Sequence, residues 1–552
     1  MTVMRRDLTH PPDLGHERHT GPCRTQRPVY VDLLPPCNSA CPAGEDIQGW
    51  LALAQSGRFE EAWQHLMRDN PLPAVHGRVC YHPCESGCNR ARLDATVSIH
   101  AVERFLGDLA RKAGWRLRPD APPSGKRALV VGAGPSGLSA AYHLARRGHA
   151  VEVHEAGPMA GGMMIFGIPA YRLPRDVLAE EVQRIAELGV RFVFNHKVDD
   201  VLALMREGGF DAVFLAIGAQ LGKKTEIPSS DAGKILDALS FLRSVGEGAP
   251  PKLGRRVAIY GGGNTAMDAA RVARRLGHDP LIIYRRDRDH MPAHPAEADE
   301  AIEEGVKIHW LRTIKNIDAS SFTVEVMRVD EHGRPQPTGE LETLAADSLI
   351  LALGQDVDTS FLRNVPGLVF KPDGTLLVGD DLMTGHPGIF AGGDMVPSER
   401  TVTVAVGHGK RAARHIDAYL QNSPATRPAK HPLVPFEKLH LWFYTDAAHR
   451  PQGQLERQRR LESFDEVTQG LSQADALFEA KRCLSCGNCF ECDGCFAACP
   501  EDAIIKLGPG NRYRFDYDRC TGCAVCFEQC PCAAIAMTPE PAPAASPSQG
   551  EP

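Results

Sequence analysis

The stretch KRALVVGAGPSGLSAAYHLARRGHAVEVHEA, residues 126–156, decides the fold of the chain. An apolar run at residues 128–131 enters a Gly-x-Gly-x-x-Gly pattern, a helical stretch follows, and a second predicted strand ends at Glu155. The three glycines are Gly132, Gly134 and Gly137. The first permits a tight turn, the second lets a pyrophosphate approach the helix N-terminus, and the third lets the helix pack on the strand. The stretch therefore predicts a doubly wound α/β domain that binds a dinucleotide, with Glu155 on its ribose hydroxyls.

A second copy of this pattern begins at residue 255, in RRVAIYGGGNTAMDAARVARRLGHDPLIIYRRD (residues 255–287). Its fingerprint positions are Gly261, Gly263, Asn264 and Ala266. Where the first copy has an acid, the second has Arg285 and Arg286. An acid there bonds the 2′-hydroxyl of NAD, whereas arginine accommodates a 2′-phosphate, so this site is expected to prefer NADP. The alternative is an exposed basic turn.

Length and composition exclude several classes of protein. The chain has 552 residues, 43% of them hydrophobic, which is more than one core needs and indicates three or more domains. Its formal net charge is -7 with both signs mixed along the chain, so no nucleic-acid partner is expected. The opening is polar and no run of about 18 apolar residues occurs, so neither export nor a membrane span is expected. We expect a cytoplasmic protein.

The 17 cysteines lie near the two ends of the chain. A disulfide framework is not expected in a reducing compartment, and the C-x2-C and C-x3-C-P spacings suit iron-sulfur clusters. The tail contains two complete ferredoxin half-motifs, in which the fourth cysteine of each half binds the cluster of the other. One expected ligand set is Cys489, Cys492, Cys495 and Cys530, and the other is Cys499, Cys520, Cys523 and Cys526. Zinc is the alternative metal, and Cys23 and Cys532 are expected to bind none.

Six further motifs resemble one known family. They are PPCNSACPAGEDIQGW (35–50), DNPLPAVHGRVCYHPCESGCNRA (69–91), GGMMIFGIPAYRLPRDV (161–177), YRRDRDHMPAHPAEADEA (284–301), ALGQDVD (352–358) and GIFAGGDMVPSERTVTVAVGHGKRAARHIDAYL (388–420). They resemble the small (beta) subunit of NADPH-dependent glutamate synthase and the equivalent amino-terminal half of dihydropyrimidine dehydrogenase. The resemblance covers roughly residues 30 to 425.

The resemblance implies FAD on the first dinucleotide-binding domain and NADPH on the second. Asp394 would bond the ribityl chain of FAD, with an ordinary turn aspartate as the alternative. The helix beginning near Thr401 would point its N-terminus at the flavin and favour negative charge on the reduced ring. Gly162 and Gly393 stand at further cofactor-binding positions.

In the family, a helical front domain holds two 4Fe-4S clusters. The matching cysteines here are Cys37, Cys41, Cys80, Cys84 and Cys88. They are too few for two clusters, because the family's C-x2-C pair before Cys37 is missing. Glu103 matches a position that supplies a side-chain oxygen, so it could complete one site with Cys41, Cys80 and Cys84. The alternative for Glu103 is a solvated helix residue, and His76 is interpreted as a core or surface histidine.

The missing pair resembles a stretch at the other end of the chain, EAKRCLSC (479–486). We hypothesise that Cys483 and Cys486 fold back and join Cys37 and Cys88 around one cluster. That arrangement would dock the tail on the front domain, which would then hold one or two clusters beside the two of the tail. The rival interpretation is a pair of spare thiols.

The predicted fold is α/β, with two doubly wound dinucleotide-binding domains between an all-helical iron-sulfur domain and an α+β ferredoxin-like domain. The expected order is a disordered or extended arm over 1–30, the helical iron-sulfur domain over 31–122, the FAD domain over 126–222 and 356–425, the NADPH domain over 223–355, a connector over 426–475, the ferredoxin domain over 476–538 and a disordered tail over 539–552.

The expected function follows from what each cofactor carries. Nicotinamide gives up a hydride, iron-sulfur clusters pass single electrons, and a flavin does both, so no catalytic proton donor is named. The chain is expected to be an NAD(P)H-dependent FAD and iron-sulfur oxidoreductase serving a large glutamate synthase alpha-like subunit or a ferredoxin. Because its tail resembles 2-oxoacid:ferredoxin oxidoreductases, a subunit of such an enzyme that passes electrons to NADP is the runner-up. An iron-sulfur scaffold or redox sensor is the third interpretation.

Overall fold

The computed structural model describes residues 24–223, 225, 227, 234–318, 321–426, 431–442 and 444–541. Most of the predicted arm over 1–30, with Cys23, lies outside the described residues, as does most of the predicted tail over 539–552. None of the described helices is long and apolar enough to cross a membrane.

The described chain begins with a short strand, β1 (Gln26–Tyr30), and continues into a helical front region. Its helices are α1 (Pro36–Ala40), α2 (Ile47–Gln55), α3 (Phe59–Leu66), α4 (Pro73–Val79), α5 (Pro83–Ser86) and α6 (Ile99–Ala113). Trp50, Trp63 and Leu66 are fully buried between them. Helices α4 and α6 approach so closely that a Cβ at Gly107 would lie 2.5 Å from the Ala74 nitrogen. The front region therefore has a packed core of its own.

The first fingerprint lies in a five-stranded parallel sheet of order β16-β5-β2-β3-β4. Its elements are β2 (Arg127–Val131), α7 (Pro135–Arg146), β3 (Ala150–His154), α8 (Met163–Phe166), α9 (Arg175–Ala186), β4 (Arg191–Val193), α10 (Val201–Gly208), β5 (Ala212–Leu215), β16 (Ile389–Ala391) and α14 (Val402–Leu420). Strands β2 and β5 are continuous buried apolar runs, as expected of a parallel sheet covered on both faces. The last strand and helix come from far along the chain.

The second fingerprint lies in another parallel sheet, of order β10-β9-β8-β14-β7. Its elements are β7 (Lys234–Asp237), α11 (Ala238–Gly246), β8 (Arg256–Tyr260), α12 (Asn264–Arg275), β9 (Asp279–Tyr284), α13 (Pro295–Glu303), β10 (Lys307–Trp310) and β14 (Ser348–Leu351). The chain passes between the two sheets through an antiparallel pair, β6 (Leu221–Gly222) and β15 (Gln355–Asp356).

One element was not anticipated from the sequence. Strands β11 (Arg312–Ile317), β12 (Ser321–Val329) and β13 (Pro335–Ala345) form a separate antiparallel sheet between β10 and β14. Strand β13 is mostly exposed, whereas β12 alternates buried and less buried residues over much of its length. That pattern is typical of an antiparallel sheet with one solvated face, inserted into an otherwise doubly wound domain.

The C-terminal part contains α15 (Arg457–Glu462), α16 (Gln473–Arg482), α17 (Gly494–Ala498), β17 (Ile504–Lys506), β18 (Tyr513–Phe515), α18 (Val525–Glu528) and β19 (Ile535–Pro539). Strands β17 and β18 form a hairpin. Strand β19 pairs with β1 in antiparallel register, with Tyr30 opposite Ile535. Residues 26–30 of the predicted arm are therefore an extended strand at the edge of the C-terminal part. Strand β19 ends at Pro539, one residue beyond the predicted ferredoxin domain. Nothing local in the sequence could show a pairing across the whole chain.

Arg482 joins this tail to the front region. Its side chain is 2% exposed and donates hydrogen bonds to the carbonyl oxygens of Ala95 and Thr96, both at 2.7 Å. It also bonds the carboxylates of Asp94 at 3.1 Å and Glu479 at 2.9 Å. Because Glu479 is fully buried, Arg482 is the cation that neutralises it.

We predict that Arg482→Ala lowers the local unfolding free energy of α16 by about 3 to 5 kcal/mol, because it leaves a buried carboxylate without its cation. Hydrogen exchange of the α16 amides in the native protein measures this. The control is Arg459→Ala, which removes an exposed partner of Asp465 and is expected to change stability by less than about 1 kcal/mol. Equal loss of protection in the two variants would contradict the assignment.

Candidate functional site

A cavity of about 540 Å³ lies at the carboxyl ends of the first sheet's strands, on the side that faces the second sheet. Crevices at this edge are the usual ligand position in doubly wound folds. Residues after β2, β3 and β5 line it, together with the first turns of α12 and α14. The predicted residues that it brings together are Gly132, Gly134, Glu155, Gly162, Asn264, Gly393, Asp394 and Thr401.

The first glycine of each fingerprint stands where a side chain has no room. Gly132 has a φ of +103°, and a Cβ there would overlap the carbonyl oxygen of Ala216. Gly261 has a φ of +150°, and a Cβ there would overlap the carbonyl oxygen of Ala352. A Cβ at Gly137 would overlap the Gly132 carbonyl oxygen, so this glycine permits close packing of helix on strand.

The second glycine of each fingerprint faces open space. A Cβ at Gly134 would meet only the Gly162 Cα, at 4.0 Å, and one at Gly263 would meet nothing within 4 Å. Gly134 and Gly162 both line the cavity. Gly134 and Gly263 are therefore free of the protein's own packing, as a backbone that a pyrophosphate approaches must be.

The acid of the first fingerprint is held by backbone groups. Glu155 accepts hydrogen bonds from the backbone N–H of Ala133 at 2.8 Å and of Gly157 at 2.7 Å. Its carboxylate thus fixes the two loops that border the cavity. The expected bond to ribose hydroxyls stays a prediction.

The returning segment places Asp394 and Thr401 on the same cavity. The Thr401 side chain caps α14 by accepting from the Val404 N–H at 3.2 Å. The Gly393 N–H donates to Nδ1 of His408 at 3.0 Å, and burial lowers the pKa of His408 to about 4, so its ring is neutral and accepts. Burial also raises the pKa of the Asp394 carboxyl. A capped helix N-terminus and a partly desolvated acid thus face one space.

The second fingerprint is arranged differently. Asn264 donates to the Tyr81 hydroxyl at 2.6 Å and accepts from the His294 N–H at 2.8 Å. Arg285 is exposed and Arg286 half-buried after β9, and the structure does not place either of them on the cavity. Their contact with a 2′-phosphate stays a prediction.

A polar junction at the cavity was not anticipated from the sequence. Arg172 bonds the carboxylates of Asp268 at 2.8 Å and of Glu297, and the Tyr81 hydroxyl donates to Glu297 at 2.9 Å. Tyr81 comes from the front region, Arg172 from the first sheet domain and the two acids from the second. The quoted motifs contain Tyr81, Arg172 and Glu297, but their spacing alone gave no reason to pair them.

Four one-turn helices set the positions of half of the described cysteines. In each, a cysteine is the second residue and another follows the last turn: Cys37 and Cys41 on α1, Cys84 and Cys88 on α5, Cys495 and Cys499 on α17, Cys526 and Cys530 on α18. The α-helical rise separates the two by about 6 Å along the axis. Helix α1 packs against α5, and α17 packs against α18.

The first group of thiols contains Cys37, Cys88, Cys483 and Cys486, which line one small cavity. This is the set hypothesised from the displaced motif. Burial raises the pKa of Cys483 to about 12 and of Cys486 to about 11.

The second group contains Cys41, Cys80, Cys84 and Glu103, which line another small cavity with Glu45 and His76. Glu103 is 6% exposed, so it is not a solvated helix residue. Asn70 donates to its carboxylate at 2.7 Å, and burial, with the nearby acids Glu45 and Glu181, raises its pKa well above the ordinary value. His76 is a core residue, as interpreted from the sequence.

The tail holds two more groups. The third group contains Cys489, Cys492, Cys495 and Cys530, which lie near enough for their charges to interact. The fourth group contains Cys499, Cys520, Cys523 and Cys526, which line one small cavity. Cys532, expected to bind no metal, has its Sγ 3.8 Å from that of Cys530, and this hydrogen bond lowers the pKa of Cys530.

The four groups fit iron-sulfur clusters by the chemistry of their donors. All sixteen described cysteines are free thiols. Burial raises the pKa of most of them, so four neighbouring thiolates would be unstable without a bound cation. Three groups offer four thiolates, and the second offers three thiolates and a carboxylate.

The family model of pyridine nucleotide-disulphide oxidoreductases matches residues 126–409. The chain belongs to this family. A second model, for dihydropyrimidine dehydrogenase domain II with a 4Fe-4S cluster, matches residues 25–115 of the oxidoreductase.

Several curated relatives span most of the oxidoreductase. The beta subunit of NADP(+)-dependent formate dehydrogenase from Moorella thermoacetica is 36% identical over 86% of the chain and 74% of its own length. The beta subunit of NADPH-Fe(3+) oxidoreductase from Geobacter sulfurreducens is 34% identical over 82% and 75%. The glutamate synthase [NADPH] small chain of Azospirillum brasilense is 34% identical over 70% and 86%. The resemblance to glutamate synthase small chains is confirmed.

We predict that Gly134→Ala preserves the fold and weakens FAD binding at least about tenfold, because the new methyl meets no protein atom closer than 4.0 Å and enters the space of the pyrophosphate. Flavin content and circular dichroism of the purified protein measure the two effects. The matched control, Gly263→Ala, is expected to keep FAD and to weaken NADPH. Loss of FAD in both variants, or in neither, would contradict the assignment.

Proposed function

We propose that the chain oxidises NADPH at its FAD domain and passes the electrons through iron-sulfur clusters to a partner protein. The observation that carries the proposal is that two dinucleotide fingerprints, one cavity and four groups of metal-ligand side chains lie close to one another. When bound, FAD would accept two electrons as hydride and release them singly, which clusters require. No residue is assigned as a catalytic acid or base.

The chain's own contribution is to bind and orient. Gly134 leaves its backbone open to a pyrophosphate, and Gly162 lies beside it on the same cavity. Glu155 fixes the loops beside the ribose position, and the first turn of α14 offers N–H groups to the cavity. Asp394 presents a carboxyl to the same space. The junction of Tyr81 and Arg172 holds the second domain over the cavity.

Anaerobic addition of NADPH to the reconstituted chain tests the function. The flavin and cluster absorbance should bleach with NADPH in slight excess and recover when an acceptor is added. An iron-sulfur scaffold or redox sensor would contain the metal without rapid bleaching, so that outcome would favour the third interpretation from sequence.

The coverage of the relatives bears on the partner. The relatives named for formate dehydrogenase and iron(III) reduction match 86% and 82% of the chain, whereas the glutamate synthase small chain matches 70%. This difference favours, as a second candidate, a partner that oxidises a small substrate such as formate, over a glutamate synthase alpha-like subunit. A 2-oxoacid oxidoreductase stays a prediction. Identification of the subunit that co-purifies with the chain decides among these three candidate partners.

We predict that Arg285→Ala with Arg286→Ala weakens NADPH binding much more than NADH binding. Each lost charge-assisted contact is worth about 1.5 to 3 kcal/mol at most, and less here because Arg285 is exposed. Titration of each nucleotide against the flavin absorbance measures both affinities. Equal losses, or a wild type that prefers NADH, would show that these arginines do not read the 2′-phosphate.

We predict that Cys483→Ala with Cys486→Ala lowers the iron content from about sixteen to about twelve per chain, because both thiols would serve one 4Fe-4S cluster. The matched control is Cys532→Ala, which removes a buried thiol beside Cys530 and should keep all the iron. Iron and sulfide analysis of the reconstituted proteins measures this. An unchanged iron content in the double variant would eliminate the shared cluster.

A further inference from the structure

We propose that electrons leave the chain at the group Cys499, Cys520, Cys523 and Cys526, and that Glu501 and Asp502 beside it bind an electron-accepting protein with a basic surface. This inference rests on the proposed function. The order of the four groups, the exposure of the last group and the charge around it support the proposal.

The cavity adjoins the second group through α14. Thr401 lines the cavity, and Thr403, half a turn further, lines the pocket of the second group and hydrogen-bonds Cys80. The second and first groups share helices α1 and α5, and Ile99 lines both pockets. The order from the cavity is therefore second group, then first group.

The order continues into the tail. Cys486 of the first group and Cys489 of the third are three residues apart, and the Gly487 N–H between them donates to the Cys532 carbonyl at 2.6 Å. Each of helices α17 and α18 sets the position of one thiol of the third group and one thiol of the fourth. The fourth group is the last of the series.

This last group reaches the surface. Cys523 is exposed, and the same pocket is lined by Glu501. Cys492 of the third group is exposed as well, but the two acids beside it already have hydrogen-bond partners within the protein. Asp493 bonds Lys506 at 2.8 Å and Tyr513 at 2.6 Å, and Glu491 accepts from the Arg512 N–H at 3.0 Å.

The charge at the last group is unbalanced. Glu501 and Asp502 are exposed, and within the part of the chain that the structure describes neither has an ion pair or side-chain hydrogen bond. Of the nearby bases, Arg24 bonds Glu540 at 2.7 Å and Arg519 lies 3.7 Å from Asp516. Arg27 stacks on the Tyr517 ring and has no acidic partner among the described residues. Arg514 is exposed on the hairpin and not on the ligand loops. A rim of this sign attracts a partner with lysine or arginine around its acceptor.

The electron balance is simple. Oxidation of one NADPH to NADP⁺ and one proton releases two electrons. Each electron would reduce the oxidised cofactor of one docked acceptor, so two dockings follow each NADPH.

The test uses the full reconstituted chain and mitochondrial cytochrome c, a small basic haem protein, as the probe. Glu501→Lys with Asp502→Lys should weaken binding of oxidised cytochrome c at least tenfold at low ionic strength and remove most of its salt dependence, measured by calorimetry without NADPH. The control, Glu331→Lys with Glu340→Lys, makes the same charge change at exposed positions around β13 and should weaken binding less than twofold. Carbodiimide cross-links from wild type should map to Glu501 or Asp502.

Equal weakening by the two double variants, unchanged binding in the first, or cross-links at Glu491 and Asp493 would overturn the docking site. NADPH should bleach Glu501→Lys, Asp502→Lys at the wild-type rate. If NADPH does not bleach the wild type, the proposed function fails; if bleaching is normal and only the binding result is negative, the docking inference fails alone.

Discussion

The spacing of two thiols across one helical turn is the constraint on which the rest of the structure depends. A cysteine at the second position of a one-turn helix and another just beyond its end lie about 6 Å apart along the axis. The helix therefore gives its two thiols to different groups. Two such helices packed together define two groups, and both the front region and the tail use this device.

The two front helices supply too few thiols to complete the first group. This shortage explains why a distant part of the chain packs against the front region. Helices α1 and α5 supply only two thiols, Cys37 and Cys88, to the first group. Cys483 and Cys486 fill the same pocket, which requires α16 to lie against the front helices. Arg482, one residue before this pair, is buried there with Glu479 and bonds the backbone of the front region. Strand β1 makes the reciprocal connection by pairing with β19.

The buried carboxylates of the protein also depend on the groups that surround them. A carboxylate as enclosed as Glu103, beside Glu45, is costly unless a cation lies near. Asn70 bonds both acids and His76, which orients them toward the pocket of Cys41, Cys80 and Cys84. The junction of Arg172 with Asp268 and Glu297 shows a different solution, in which two buried acids share one cation of the protein.

Local sequence determined the parts of this protein whose physics is local. The glycine spacing specified both dinucleotide turns, because only glycine fits the positive φ and close carbonyl contact at Gly132 and Gly261. The repeated C-x3-C spacing specified the thiol pairs, and family resemblance suggested that Cys483 and Cys486 belong with Cys37. The inserted sheet β11 to β13, the β1–β19 pairing and the partners of Tyr81 and Arg172 were not foreseen. The inserted sheet joins consecutive strands, with Ile317 opposite Phe322 and Val329 opposite Pro335. Tertiary structure alone decided the β1–β19 pairing and the contacts of Tyr81 and Arg172, because these join residues tens to hundreds of positions apart. Their free energy depends on which surfaces meet, and no short pattern records that.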